Sequence, residues 1–150
     1  MVATLHFLAL AIGVSSAVVR GLRLRDLRRG ARNDRVVASL LGADALWGVA
    51  AGLWLGSGLL RVFAGLERAS AYYLRNGFFY VKMTLFLSVV ALEIFPMVTF
   101  IRWRTARRKG VTPWLNAPLD RLIRVNDVEV AVVVLIVFAA TLMARGAWLF

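Results

Sequence analysis

An all-α integral membrane protein, a bundle of four spanning helices, is the fold this sequence predicts, and three observations predict it. First, 61% of the residues are hydrophobic and mean hydropathy is +0.75, whereas soluble domains sit near roughly 45–50% apolar. Second, the apolar residues gather into four long runs. Third, the net charge of +11 is concentrated in short stretches between those runs, the pattern of a chain whose basic loops stay on one side of a bilayer.

The runs cover residues 2–19, 36–60, 77–101 and 125–144. Each is close to the roughly 20 residues needed to cross about 30 Å of hydrocarbon. In lipid every backbone polar group must be satisfied internally, so runs of this length read as helices. The helices are expected at about 2–22, 36–60, 76–102 and 124–145, in one domain spanning 1–150. No linker rich in Pro, Gly or Ser interrupts them, and no strong internal repeat is visible.

The connections set the expected orientation. Arg20, Arg23, Arg25, Arg28, Arg29, Arg32 and Arg35 follow the first run, and Arg102, Arg104, Arg107, Arg108, Lys109, Arg121 and Arg124 lie between the third and fourth. The second connection carries only Arg61, Arg68 and Arg75, with Glu67. The first and third connections should therefore be cytoplasmic and both termini on the other side of a bacterial cytoplasmic (inner) membrane. The first run lacks a basic segment before it, so it reads as an uncleaved helix rather than a signal peptide. Pro113, Trp114 and Pro118 suggest a short interfacial segment with Trp114 at headgroup depth. Gly13, Ser15, Ser16, Ala17, Gly48, Ala50, Ala51 and Gly52 would let the first two helices approach closely.

The same layout bounds function. Lipid is the expected partner and a homo-oligomer is compatible with it, whereas basic residues confined to loops argue against nucleic acid. The chain has no cysteine, which excludes disulfides, thiolate metal sites and cysteine nucleophiles. It has no phosphate-cradling glycine loop and no Ser/His/Asp set. Gly56-Ser57-Gly58 reads as a turn at the end of the second helix.

Four charged or histidine residues lie within the first three runs: His6, Asp44, Lys82 and Glu93. A charge in a membrane span costs about 3 kcal/mol or more unless paired or hydrated, so its default reading is functional. His6 should lie about one turn below the outer surface and Lys82 about 8–9 Å below it, at 1.5 Å per residue, so the two should be level. Asp44 and Glu93 should share a second level, about 12 Å from the cytoplasmic ends of their helices. Asp127 and Glu129 open the fourth helix, where acids favour its dipole. The structural alternatives are an interfacial His6, a Lys82 that snorkels to headgroups, an Asp44 bonded to a hydroxyl, an indole N–H or an arginine, and a Glu93 paired with a loop arginine such as Arg102. Pro96, three residues after Glu93, should kink the third helix.

Three segments carry a resemblance: Leu5-His6-Phe7-Leu8-Ala9-Leu10-Ala11, the stretch from Tyr72 to Lys82, and Arg124-Val125-Asn126-Asp127. Together they resemble an uncharacterised family of short bacterial four-helix membrane proteins (domain of unknown function 2214), over essentially the whole chain. The layout is also similar to the HemJ-type protoporphyrinogen oxidases. Those have an early His in the first helix, a Lys opening the third, and Arg-Phe-Asn-Glu opening the fourth; here Val125 and Asp127 replace the Phe and Glu. That likeness implies haem b, with His6 and Lys82 as axial ligands and Asn126 and Asp127 as further buried polar residues. Lysine ligates only when neutral, which burial and metal binding favour. A single His rules out bis-His ligation within one chain. Phe7, Phe78, Phe79, Tyr80 and Trp47 are the candidate porphyrin walls.

Three functions are open on this reading. One is a haem-binding oxidoreductase. A second is a small proton- or cation-coupled transporter subunit using Asp44 and Glu93 with Lys82. The third is a non-catalytic scaffold whose polar residues only pair and orient helices.

Overall fold

The computed structural model describes residues 2–63 and 75–146, apart from the side chain of Val62. The expectations placed on Glu67, Arg68 and the segment 72–74 lie outside the described residues. Four long helices run in order: α1 (Val2–Arg28), α2 (Asp34–Phe63), α3 (Gly77–Arg108) and α4 (Leu119–Ala144), with a 3-10 turn at Pro113–Asn116. Each of the four is long and apolar enough to cross a membrane.

Local chemistry sets the ends. Asn33 Oδ1 accepts from Val36 N at 2.9 Å, and Asn76 Oδ1 accepts from Phe78 N at 3.0 Å, so both helices start on a side chain that satisfies an orphan N–H. Asp34 then adds an acid to the first turn of α2. Gly30 (φ 102°) and Gly110 (φ 72°) adopt the left-handed conformation. Each is followed by the paired bonds that close a Schellman turn: Gly30 N to Leu27 O and Ala31 N to Asp26 O, Gly110 N to Arg107 O and Val111 N to Ala106 O. Only glycine adopts that backbone without strain.

The helices extend beyond the apolar runs. α1 continues to Arg28, α3 to Arg108, and α4 begins at Leu119 rather than near 124. Hydropathy marks where lipid ends, not where a helix ends. The extensions converge on their own core of Leu24, Leu27, Leu40, Phe100, Trp103, Trp114 and Leu122. Trp114 is therefore buried, 6.2 Å from Trp103 between ring centroids, and not a headgroup anchor. α2 likewise runs through Gly56-Ser57-Gly58, so that triplet is no turn.

α1 packs mainly against α2, and α3 against α4. α1 also meets α4, while α2 and α3 touch sparsely. Of the small residues on α1 and α2, Gly13 seats against Trp47 and Ala50, and Ser16, Ala17 and Ala50 are buried. Ser15, Gly48 and Gly52 face outward. α3 continues as helix through a buried Pro96. The exposed surface of the spans includes Phe7, Leu8, Val49, Leu87, Val134 and Phe138, side chains that suit lipid tails.

Candidate functional sites

Arg20 is the centre of the first site. It sits on α1, one residue past the first apolar run, and is 0% exposed. Its Nε donates to Asn126 Oδ1 at 2.8 Å. Nη1 donates to Asp44 Oδ1 at 3.2 Å and to both oxygens of Glu93 at 2.9 and 3.0 Å. Nη2 donates to Glu129 Oε2. One guanidinium thus binds α2, α3 and α4 at once, using the planar set of donors that lysine lacks. The cluster has a second ring of support. Trp47 Nε1 donates to Glu93 Oε2 at 3.0 Å, the Trp47 ring lies 5.7 Å from the guanidinium carbon, and Arg104 Nη2 donates to Asp44 Oδ2 at 2.7 Å.

Glycine makes the approach possible. A Cβ on Gly21 would sit 2.6 Å from Asn126 Nδ2, so a side chain there would push Asn126 off Arg20. Asp44, Glu93 and Asn126, all singled out in the sequence, meet here. Asp44 and Glu93 are indeed at one level, but they share Arg20 rather than facing each other alone, and Glu93 pairs with Arg20 rather than Arg102. Asp127 is a correction. It is 48% exposed and pairs with Arg25 at 2.7 Å, because the neighbouring position on a helix points about 100° away from Asn126. Glu129, expected to act on the helix dipole, is instead 0% exposed inside the cluster. It lies in the third turn of α4 once the helix is seen to start at Leu119.

The second site lies towards the opposite end of the bundle. Trp54 and Ile136 line it, each two turns, or about 10 Å, from Trp47 and Glu129 respectively. It is a cavity of about 360 Å³ between α1, α2, α3 and α4, within the roughly 300–1,000 Å³ range of ligand pockets. His6 and Lys82 both line it, with Trp54, Phe79, Tyr80 and Phe86. Exposed Leu55, Leu59, Phe63 and Tyr80 form its mouth on the lipid-facing side. Of the proposed aromatic walls, only Phe79 and Tyr80 are part of it. Phe7 faces outward and Trp47 belongs to the arginine cluster. Phe78 packs against Phe79 and Met143.

The His6 tautomer follows from Ser57. The Ser57 hydroxyl lies 2.6 Å from Leu53 O and 3.1 Å from Trp54 O, both of which only accept. Its single proton therefore points to the backbone, and His6 Nδ1, at 2.9 Å, must donate to the Ser57 oxygen. In the neutral ring this leaves the lone pair on Nε2. Gly58 makes room for the ring, since a Cβ there would lie 3.3 Å from His6 Cε1. Lys82 Nζ lies 5.4 Å from the Phe79 ring centroid, a cation–π contact. Trp54 stacks obliquely on His6 at 5.8 Å, and its buried indole N–H has no hydrogen-bond partner among the described residues.

A family model described as "Predicted membrane protein (DUF2214)" matches residues 1–147. The chain belongs to that family. No curated protein and no solved structure matches it. His6, Lys82, Asp44, Glu93 and Asn126, which the sequence singled out, all line one or other of the two sites. Sequence reasoning missed Arg20, Ser57, Trp54 and the burial of Glu129. Arg20 was hidden because it opens a run of arginines, and only helical phase separates it from its neighbours. Arg20, Leu24 and Leu27 share the spacing of one buried helical face, and that was the available signal.

Proposed function

We propose that this protein is a haem-linked redox protein of the bacterial cytoplasmic membrane, with its ligand in the His6–Lys82 cavity. The observation that carries the reading is the imidazole: Ser57 fixes Nδ1 as the donor, which in the neutral ring puts the lone pair on Nε2, the tautomer that metal-binding histidines use. The rest of the cavity suits the same ligand. Its walls are apolar and aromatic, Lys82 would offer a cation to carboxylates or, when neutral, a second nitrogen donor, and the Trp54 N–H needs an acceptor. Haem would supply one-electron chemistry there, and the residues tune it through ligation, hydrogen bonding and burial. By the positive-inside rule the arginine-rich end faces the cytoplasm, the termini face outward, and the cavity lies in the outer leaflet. The test is an absorbance spectrum of detergent-purified protein from haem-replete cells, oxidised and dithionite-reduced. A Soret band that is lost in His6→Ala and shifted or lost in Lys82→Ala supports the reading. A folded protein with no Soret band, even after added haem, overturns it.

A second reading, a proton- or cation-coupled transporter subunit, draws support from the carboxyls gathered at Arg20. It loses Lys82, which lies in the other site, and it needs an oligomer to form a path. Unchanged proteoliposome flux in an Asp44→Asn, Glu93→Gln variant would end it.

A further inference from the structure

The charges around Arg20 do not balance. Every helix contributes a charged group: Arg20 from α1, Asp44 from α2, Glu93 and Arg104 from α3, and Glu129 from α4. Two guanidiniums face three carboxyls, so full ionisation would leave one net negative charge within the bundle. An uncompensated charge in a low-dielectric interior is the most costly kind, and a group so placed neutralises instead. A second observation locates where. Glu129 is 0% exposed, its Oε2 takes the Arg20 bond, and its Oε1 is buried with no hydrogen-bond partner among the described residues. A carboxylate oxygen left in that position lacks a donor; a protonated one is itself a donor and needs an acceptor. Glu93 is held by the same guanidinium, taking Nη1 where Glu129 takes Nη2, so the two carboxyls sit side by side on Arg20.

We propose that the Arg20 cluster is a binding site for one proton, held on the Glu129–Glu93 pair. The proton forms an O–H bond on one carboxyl and is accepted by the other, so the cluster becomes neutral and the orphan oxygen is satisfied. A proton is favoured over a metal ion because no three His, Cys, Asp or Glu side chains converge as metal ligands among the described residues. The inference is independent of haem, and the experiment uses protein in lipid without added haem.

The experiment is infrared spectroscopy at neutral pH with isotope-labelled glutamate, paired with unfolding titrations of glutamine variants. The expected spectrum contains the carbonyl stretch of one protonated glutamic acid, deuterium-sensitive and lost in E129Q and in E93Q. Each single variant should unfold at close to the wild-type denaturant level, because a neutral amide replaces a neutral acid and leaves two carboxylates facing two guanidiniums. The double variant E93Q/E129Q should unfold at a distinctly lower level, because it leaves an excess positive charge. No protonated carboxyl in the wild type, or single variants as unstable as the double, would overturn the proposal. So would stability and spectrum that respond to sodium rather than to pH, which would make the occupant a cation.

Discussion

Replacing Arg20 by methionine removes a side chain that bonds to all three other helices while keeping an apolar stem of similar length. The partners left behind differ. Asp44 keeps Arg104 at 2.7 Å and Glu93 keeps the Trp47 N–H at 3.0 Å, but Glu129 and Asn126 lose the bonds from Arg20. Two magnitudes compete. If the cluster behaved like ordinary polar contacts between membrane helices, the bonds would be worth about 0.6 kcal/mol each. If it behaves as a buried ion cluster with one partner removed, the cost is about 3–5 kcal/mol. The second applies here, because the one carboxylate charge held by the Glu129–Glu93 pair loses the counter-charge of Arg20. The folded-to-unfolded ratio should then fall roughly a hundred- to several-thousand-fold, measured by mild-detergent to SDS titration in mixed micelles. Two further signs are expected. The deficit should shrink as pH falls, since protonating the stranded carboxyls removes the uncompensated charge. It should also be largely rescued in Arg20→Met combined with Glu93→Gln and Glu129→Gln, which leaves Arg104 balanced by Asp44. A cost for Arg20→Met no greater than the sum of four such contacts, about 2.4 kcal/mol, with no rescue and no pH response, would refute the reasoning.

Other perturbations separate the two sites from the surface. Ser57→Ala removes the acceptor that fixes the His6 ring; on the proposed haem-binding function, affinity for added haem should fall roughly 10–100-fold in a titration followed by absorbance, as for other residues that support a metal ligand. Asn76→Ala removes the cap of α3 and should cost about 1 kcal/mol in the same SDS titration. Asp127→Asn breaks only a half-exposed pair with Arg25 and should cost no more than about 1 kcal/mol, well below any change at Arg20.

The fold was readable because lipid imposes one rule on every residue of a span, so four apolar runs were enough to count helices. Level along the bundle was also readable: His6 and Lys82, which line one cavity, and Asp44 and Glu93, which share Arg20, were paired from run boundaries alone. Direction around the helix was harder. Asn126 and Asp127 are adjacent in sequence, yet one is buried against Arg20 and the other pairs with Arg25 at the surface. Arg20 was invisible for a related reason. Six more arginines follow it within fifteen residues, and composition cannot say which one turns inward. Several of those others are satisfied locally or across the basic end, Arg28 with Asp120 and Arg32 with the Leu115 carbonyl. The third failure was helix length. Hydropathy places the start of α4 at the bilayer edge and so puts Glu129 near its beginning, whereas the polar extension from Leu119 places it well inside.

The central claim is that four helices converge on Arg20 at one level within the membrane. The chain has no native cysteine, so single cysteines carrying nitroxide labels can be placed without background. Val19, Leu46, Ile94 and Val128 are exposed positions, one per helix, each within two residues of Arg20, Asp44, Glu93 or Glu129. Power-saturation depth measurements in bilayers, with oxygen and a polar nickel chelate as competing relaxants, should place all four in the hydrocarbon at depths agreeing to within about 3 Å, the rise of two helical residues. Labels relaxed chiefly by the polar chelate, or spread over widely different depths, would contradict the account.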